Sequence, residues 1–183
     1  MRVTETNIAG VKLIEPTVYG DARGFFFESF NEQQFAALTG VTERFVQDNH
    51  SKSARGVLRG LHYQINQAQG KLVRVVAGEV FDIVVDLRRS SATFGQHVAA
   101  TLSAENKKML WVPAGFAHGF LVTSDHAEFL YKTTDYYAPQ HERSLRWNDP
   151  ALHIDWPIAL SGPPQLKPND ANAPLLAAAE TFA

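Results

Sequence analysis

The sequence predicts a mainly-β fold, an antiparallel sandwich or barrel with a few short peripheral helices. Three observations carry that reading: many short β-rich stretches, turn-forming residues between them, and few helix signals. The stretches are Gly10–Pro16, Gly24–Phe30, Arg44–Asn49, Val57–Gln64, Lys71–Ala77, Val80–Leu87, His97–Leu102, Lys108–Val112, Gly119–Thr123 and Glu128–Thr133, with Gly, Pro, Asn or Asp in the gaps. The clearest alternation lies in Lys71–Ala77 and Val80–Leu87, and Gly78-Glu79 between them predicts a hairpin turn. Asn31 can cap a helix over Glu32–Leu38, with Gln34 in a capping-box-like position and Gly40 ending it; Pro174 can open a terminal helix over Leu175–Glu180. The Pro-rich stretch from Pro157 to Pro174 is expected to cross the surface or a barrel end, where it can carry a functional residue.

Composition narrows the function. A chain of 183 residues with 45% hydrophobic content can bury a substantial core, and residues 1–183 read as one domain. A formal charge of -2 and scattered Lys and Arg provide no basic field for nucleic acid, so an anionic ligand has to be held locally. The opening Met-Arg-Val-Thr-Glu-Thr-Asn lacks an apolar signal-peptide core and no stretch is apolar for long enough to span a bilayer, which predicts a cytoplasmic protein with no membrane partner. There is no Cys, so the chemistry falls to His, Tyr, Lys and carboxylates.

Two strands carry polar residues at unexpected places. In Phe81, Ile83, Val85 and Leu87 one face is wholly apolar; Asp82 and Asp86 share the other, and Asp82 either meets solvent or lines a polar cavity, with pattern alone favouring solvent. In Gly56–Gln64, period-two geometry puts Arg59 and His62 on opposite faces, and a bulge at Gly60 would bring both to one cavity.

Gly56 with His62, and Pro113-Ala-Gly-Phe-Ala-His118 leading into Gly119–Thr123, resemble the two half-motifs of the cupin superfamily, which are small jelly-roll barrels with the site inside. Many cupins bind a metal through three His and a Glu. Here Gln64 replaces the second His, and Ala68 and Gln69 stand where the Glu would fall, so a bound metal is not expected.

Longer blocks give a narrower match. Asp21–Glu28, Val46–Ser51, Gly56–Gln64, Gly70–Val75, Gly78–Arg89, Pro113–Phe120, Tyr131–Thr134, Arg146–Pro150 and Asn172–Leu176 together resemble the dTDP-4-dehydrorhamnose 3,5-epimerase family, in order and over nearly the whole chain. The resemblance implies a cupin-like β-barrel, a homodimer, no cofactor and no metal. It also implies inversion of C3 and C5 of dTDP-4-dehydro-6-deoxy-D-glucose, giving the dTDP-4-dehydro-L-rhamnose used for cell-surface polysaccharides such as lipopolysaccharide.

That chemistry needs a base for the protons beside the C4 ketone, a stabiliser for the enolate and a proton donor on the opposite face. By resemblance, His62 is the base, Asp170 its orienting carboxylate, Lys71 the enolate stabiliser and Tyr131 the donor serving C5. His118 and Asp82 match a second His/carboxylate pair that binds or polarises the sugar. Arg59 fits the diphosphate, while Arg23, Glu28, Gln47 and Asn49 match ligand contacts, some across a dimer interface. Glu142 and Tyr137 match a thymine-reading position. One departure stands out: relatives commonly place Lys immediately before the aspartate, whereas this chain has Asn169 there and Lys167 two residues upstream of it, a shifted candidate for the diphosphate.

Taken singly, these residues have ordinary readings: His62 and His118 as satisfied histidines, Tyr131 as a core aromatic, Lys71 as a strand-end charge, Asp170 as turn chemistry. Their joint occurrence inside matching blocks favours the catalytic reading. His50, His97, His126, His141 and His153 read as structural or surface residues. The alternatives are an epimerase of C3 or C5 alone on another dTDP-4-keto sugar, a metal-dependent cupin oxygenase, and a non-catalytic sugar-binding cupin.

Overall fold

The computed structural model describes residues 1–183, the side chain of Ser161 excepted. In chain order the strands are β1 Arg2–Glu5, β2 Lys12–Glu15, β3 Tyr19–Asp21, β4 Gly24–Phe26, β5 Gln47–Ala54, β6 Leu58–Gln64, β7 Lys71–Ala77, β8 Glu79–Asp86, β9 His97–Ser103, β10 Met109–Val112, β11 Phe116–Val122, β12 His126–Thr133 and β13 Glu142–Ser144. The helices are α1 Glu32–Thr39, α2 Ile158–Ser161 and α3 Pro168–Ala171. A six-stranded sheet runs β1-β2-β10-β7-β12-β5 and a five-stranded sheet runs β13-β6-β11-β8-β9, while β3 and β4 form a separate hairpin. The two large sheets have no strand pairing between them, so the jelly roll is an open pair of sheets.

The predicted hairpin at Gly78-Glu79 is instead a crossing between sheets, because β7 pairs with β10 and β12 whereas β8 pairs with β11 and β9. Gly78 makes the corner possible: its φ is +72° and a Cβ there would lie 1.9 Å from the His126 carbonyl oxygen. The loss of pairing across this corner lets β7 and β8 face each other over the interior.

Three apolar clusters explain the burial pattern. Val73, Val75, Val80, Val84, Leu110, Phe120 and Phe129 are among the side chains packed between the two large sheets. A second cluster covers the outer face of the five-stranded sheet, where Leu61, Ile83, Val85 and Leu121 meet Leu145, Leu152 and Trp156 of the C-terminal segment. This is why β11 is buried at every position. It also corrects the solvent reading of Asp82, which is 0% exposed: the apolar face of β8 is the outer one, sealed by the C-terminal segment, and Asp82 points inward. The third cluster places Phe35 of α1 against Leu72, Met109 and Trp111 on the outer face of the six-stranded sheet. As expected, the Asn31 side chain caps α1 by accepting the Gln34 N–H at 3.0 Å, and Gly40 ends it at φ +75°.

Further boundaries differ from expectation: β4 ends at Phe26 instead of Phe30, and β5 runs Gln47–Ala54 instead of Arg44–Asn49. β11 starts at Phe116, so His118 lies within a strand and the turn is confined to the residues before it. The terminal helix is only a single 3₁₀ turn, Leu176–Ala178. Tertiary bonds hold that segment extended around it: Leu176 N–H donates to Asp149 Oδ2 at 2.6 Å, and Phe182 pairs its backbone with Leu87 and Arg89. Among the described residues no helix is long and apolar enough to cross a membrane.

Candidate active site

The site begins with a bulge. In the β6–β11 ladder His62 pairs with His118 and Arg59 with Phe120, so Gly60 and Leu61 together oppose Gly119. Glycine is needed on both strands here. A Cβ on Gly60, whose φ is +113°, would lie 2.7 Å from the His118 carbonyl oxygen, and one on Gly119 would lie 2.6 Å from that of Arg59. The extra residue cancels the expected alternation, and Arg59 and His62 both line one cavity of about 290 Å³ between the sheets. Lys71, His118, Tyr131, Asn49, Glu142 and Lys167 line it too.

His62 Nε2 lies 2.7 Å from Asp170 Oδ1. The same carboxylate accepts the Gly60 N–H at 3.2 Å and has the Lys167 ammonium 3.8 Å away. Burial pushes the Asp170 carboxyl upward, but its bond to His62, the His62 charge, the Gly60 N–H and Lys167 outweigh that and hold it below the usual carboxylate range. A carboxylate only accepts, so Nε2 carries the hydrogen and Nδ1 is the free, basic nitrogen. Asp170 reaches this place from α3, in the Pro-rich stretch, as the sequence anticipated of that segment.

The second pair is more enclosed. His118 Nε2 is 3.0 Å from each oxygen of Asp82, with the imidazole 8% and the carboxylate 0% exposed. Burial raises Asp82 above the usual carboxylate value, opposed by the charges of His118 and Lys71. Burial likewise lowers Lys71 to about 8, opposed by Glu142 and Asp82, so at neutral pH it remains largely an ammonium.

Tyr131 comes from β12, on the sheet facing β6. Its hydroxyl makes no hydrogen bond to another described residue, and burial raises its pKa, which keeps the phenol protonated. Beneath it, Phe129 stacks on Phe120 of the opposite sheet at 4.3 Å between centroids and 15° between planes, forming an apolar floor. At the rim, Tyr137 donates its hydroxyl to Glu142 Oε2 at 2.9 Å and its N–H to Gln47 Oε1 at 3.0 Å. Gln47 donates to Asn49 Oδ1 at 2.9 Å, leaving the buried Asn49 Nδ2 without a partner.

Two expected residues stand apart from this cavity. Arg23 sits in the β3–β4 hairpin with its side chain 89% exposed and paired to Asp21, and Glu28 is exposed and accepts from Asn31 at 3.1 Å. The His50 side chain contacts Glu128 at 3.1 Å, although the residue also borders the cavity. Gln64, at the position of a metal-binding His, spends its amide on backbone: Nε2 donates to the carbonyls of Gln67 and Tyr136, and Oε1 accepts the Ala138 N–H. Sequence reasoning missed Ser53, which accepts the Arg59 Nε–H at 2.9 Å, and the Phe120–Phe129 floor. Inward alternation along β5, through Gln47, Asn49, Ser51 and Ser53, is the signal that would have found Ser53.

Between β-sheets of cupin-like topology, a carboxylate-bonded imidazole, a phenol without a hydrogen bond and an ammonium line one cavity, a set of groups able to exchange protons with a small ligand. The chain belongs to the dTDP-4-dehydrorhamnose 3,5-epimerase family, whose sequence model matches residues 5–178. It is 61% identical over 182 residues to the dTDP-4-dehydrorhamnose 3,5-epimerase of Pseudomonas aeruginosa, covering 100% of this chain and 99% of the relative. It is 58% identical to that of Salmonella typhimurium over 177 residues, covering 96% of each. The solved epimerase of Legionella pneumophila, in complex with dTDP-4-keto-L-rhamnose, superimposes with a TM-score of 0.95 at 56% identity over 98% of this chain and 94% of that one.

Proposed function

We propose that the protein inverts C3 and C5 of dTDP-4-dehydro-6-deoxy-D-glucose, giving dTDP-4-dehydro-L-rhamnose, without a metal. The observation that carries this reading is that His62 and Tyr131 line one cavity from opposite sheets, so a pyranose between them meets a base on one face and an acid on the other. His62 Nδ1 removes the proton beside the ketone, and Asp170 fixes the tautomer. Lys71 stabilises the oxyanion on C4 as the enolate forms. Tyr131 delivers a proton from the other face, which makes the outcome inversion. His118, held by Asp82, binds or polarises the sugar. Neither base nor oxyanion donor suffices alone: each contributes about 10²–10⁴-fold or 10²–10³-fold, against about 10⁶-fold at the low end for enzymes.

Arg59 and Lys167 hold the diphosphate at the mouth, and Gln47, Asn49, Glu142 and Tyr137 the rest of the nucleotide. The chain acts as a homodimer in which Arg23 and Glu28 serve the second protomer's cavity. Their position away from their own cavity supports this, as does the hairpin beside them, where Tyr19, Phe25 and Phe26 are 66%, 64% and 70% exposed. Incubation with the dTDP-4-keto sugar in deuterated water tests the reading: label enters C3 and C5, and His62→Ala abolishes both. Label at C3 alone would reduce the activity to a single centre, and no label would reject it.

A further inference from the structure

Among the described residues, Phe120 and Phe129 are the wholly apolar side chains that line the cavity; the other lining side chains all carry nitrogen or oxygen. The sugar of the proposed reaction has a part that matches this wall. Its ring bears hydroxyls, a ketone and the diphosphate link, and the C6 methyl is its one substituent with nothing to hydrogen bond. Against polar side chains a methyl strands donors and acceptors, whereas against two phenyl rings it displaces only water.

We propose that Phe120 and Phe129 form the seat of the C6 methyl, and that inversion at C5 passes it from one ring to the other. This rests on the epimerase reading given above. Phe129 is the next inward residue to Tyr131 on β12, with ring centroids 6.2 Å apart, and C6 is bonded to C5, the carbon Tyr131 serves. Phe120 is the next inward residue to His118 on β11, and its ring lies 4.3 Å from that of Phe129, nearly parallel and from the opposite sheet. A methyl held beside Tyr131 therefore meets both rings.

Each ring belongs to one side of the inversion. His62 draws the C5 proton toward the five-stranded sheet, so in the starting sugar the methyl tilts the other way, toward the six-stranded sheet and Phe129. Tyr131 supplies the new hydrogen from the six-stranded sheet, and the methyl then tilts toward the five-stranded sheet and Phe120. With the rings 5% and 1% exposed, neither seat offers a partner to a hydroxyl on C6, which restricts the substrate class to 6-deoxy sugars.

The test compares the 6-deoxy sugar with the corresponding dTDP-4-keto pentose, which lacks C6, by the rate of deuterium entry at C3, a carbon both possess. The wild type should prefer the 6-deoxy sugar in kcat/KM by about tenfold or more, the scale of one methyl in an apolar pocket. Phe129→Ala should erase most of that preference, because general damage to the core slows both sugars alike. Phe120→Ala should instead lower C5 labelling of the 6-deoxy sugar by about tenfold relative to C3. A wild-type preference near unity, a preference that survives Phe129→Ala, or an unchanged ratio of C5 to C3 labelling in Phe120→Ala would each overturn the proposal. Should either variant fail to fold, a wild-type structure with the product bound decides: C6 within about 4.5 Å of the Phe120 ring supports the seat, and C6 against a polar side chain overturns it. A wild-type protein that labels neither carbon of the 6-deoxy sugar would remove the epimerase reading itself.

Discussion

The two His/carboxylate pairs use the same residue types in opposite settings. His62–Asp170 joins a strand to an irregular C-terminal segment, and its carboxylate gathers a Gly60 N–H and a nearby Lys167. His118–Asp82 joins two central strands, with both oxygens shared by one imidazole nitrogen and no further hydrogen bond to Asp82. The first carboxyl is therefore held low and the second pushed up. An ionised partner leaves His62 with one defined free nitrogen, which is what the proposed role of base requires. The sheet-bound pair, with one imidazole nitrogen held by both carboxylate oxygens, fits the proposed role of holding the sugar.

The largest way to break this contrast is at His62 itself: His62→Ala should lower kcat by about 10²–10⁴-fold, read by product formation, while the corresponding His118→Ala lowers it less. Next come the carboxylates. Asp170→Asn should lose about 10²–10⁴-fold in kcat because an amide no longer dictates the tautomer. Asp82→Asn should lose only about tenfold, with part of it in KM, as expected for one hydrogen bond to a charged group. Equal losses in the two would erase the distinction between the pairs.

The pairs also differ in sign with pH. Asp170, lowered on folding, contributes stability that is present above its unfolded value of 3.8 and lost as pH falls through its folded value. Asp82, raised on folding, contributes stability below 3.8 that is lost as pH rises through its folded value. Denaturant titrations of the two Asn variants against pH should therefore diverge from the wild type in opposite directions.

Tyr131→Phe sharpens the comparison across the cavity: C5 inversion should fall selectively while exchange at C3 persists, as followed by deuterium at each carbon. Lys71 gives a graded effect with pH. Lowered on folding to about 8, it is charged below that pH, so kcat should decline by about tenfold per unit above it. The same shift means that the cost of burying the ammonium is full below about 8 and relieved as pH rises toward 10.5, so this group adds stability over the range where activity declines.

How much of this was legible depends on whether the cause was local. The strands Lys71–Ala77 and Val80–Leu87 could be read because their alternation is strong, and the bulge because an isolated Gly60 in a strand pattern is itself a signal. The second half of β5, Asn-His-Ser-Lys-Ser, has no apolar face to reveal it: its inward positions line a polar cavity. The inward turn of Asp82 depends on Leu145, Leu152 and Trp156 covering β8 from far along the chain, which no window of sequence contains. The β7–β8 connection was misread because a two-residue Gly turn looks alike whether it closes a hairpin or crosses between sheets. Asp170 is the sharpest case. Its local pattern, Pro168-Asn-Asp170, reads as turn chemistry, and only family resemblance singled it out before the fold brought it to His62.

A crystal structure of the protein with the dTDP-4-keto sugar bound tests the central claim most directly. The expected arrangement is His62 Nδ1 on one face of the pyranose and the Tyr131 hydroxyl on the other, each within about 3–3.5 Å of the carbons it serves. Both groups on the same face, or the sugar seated outside the space between the two sheets, would contradict it.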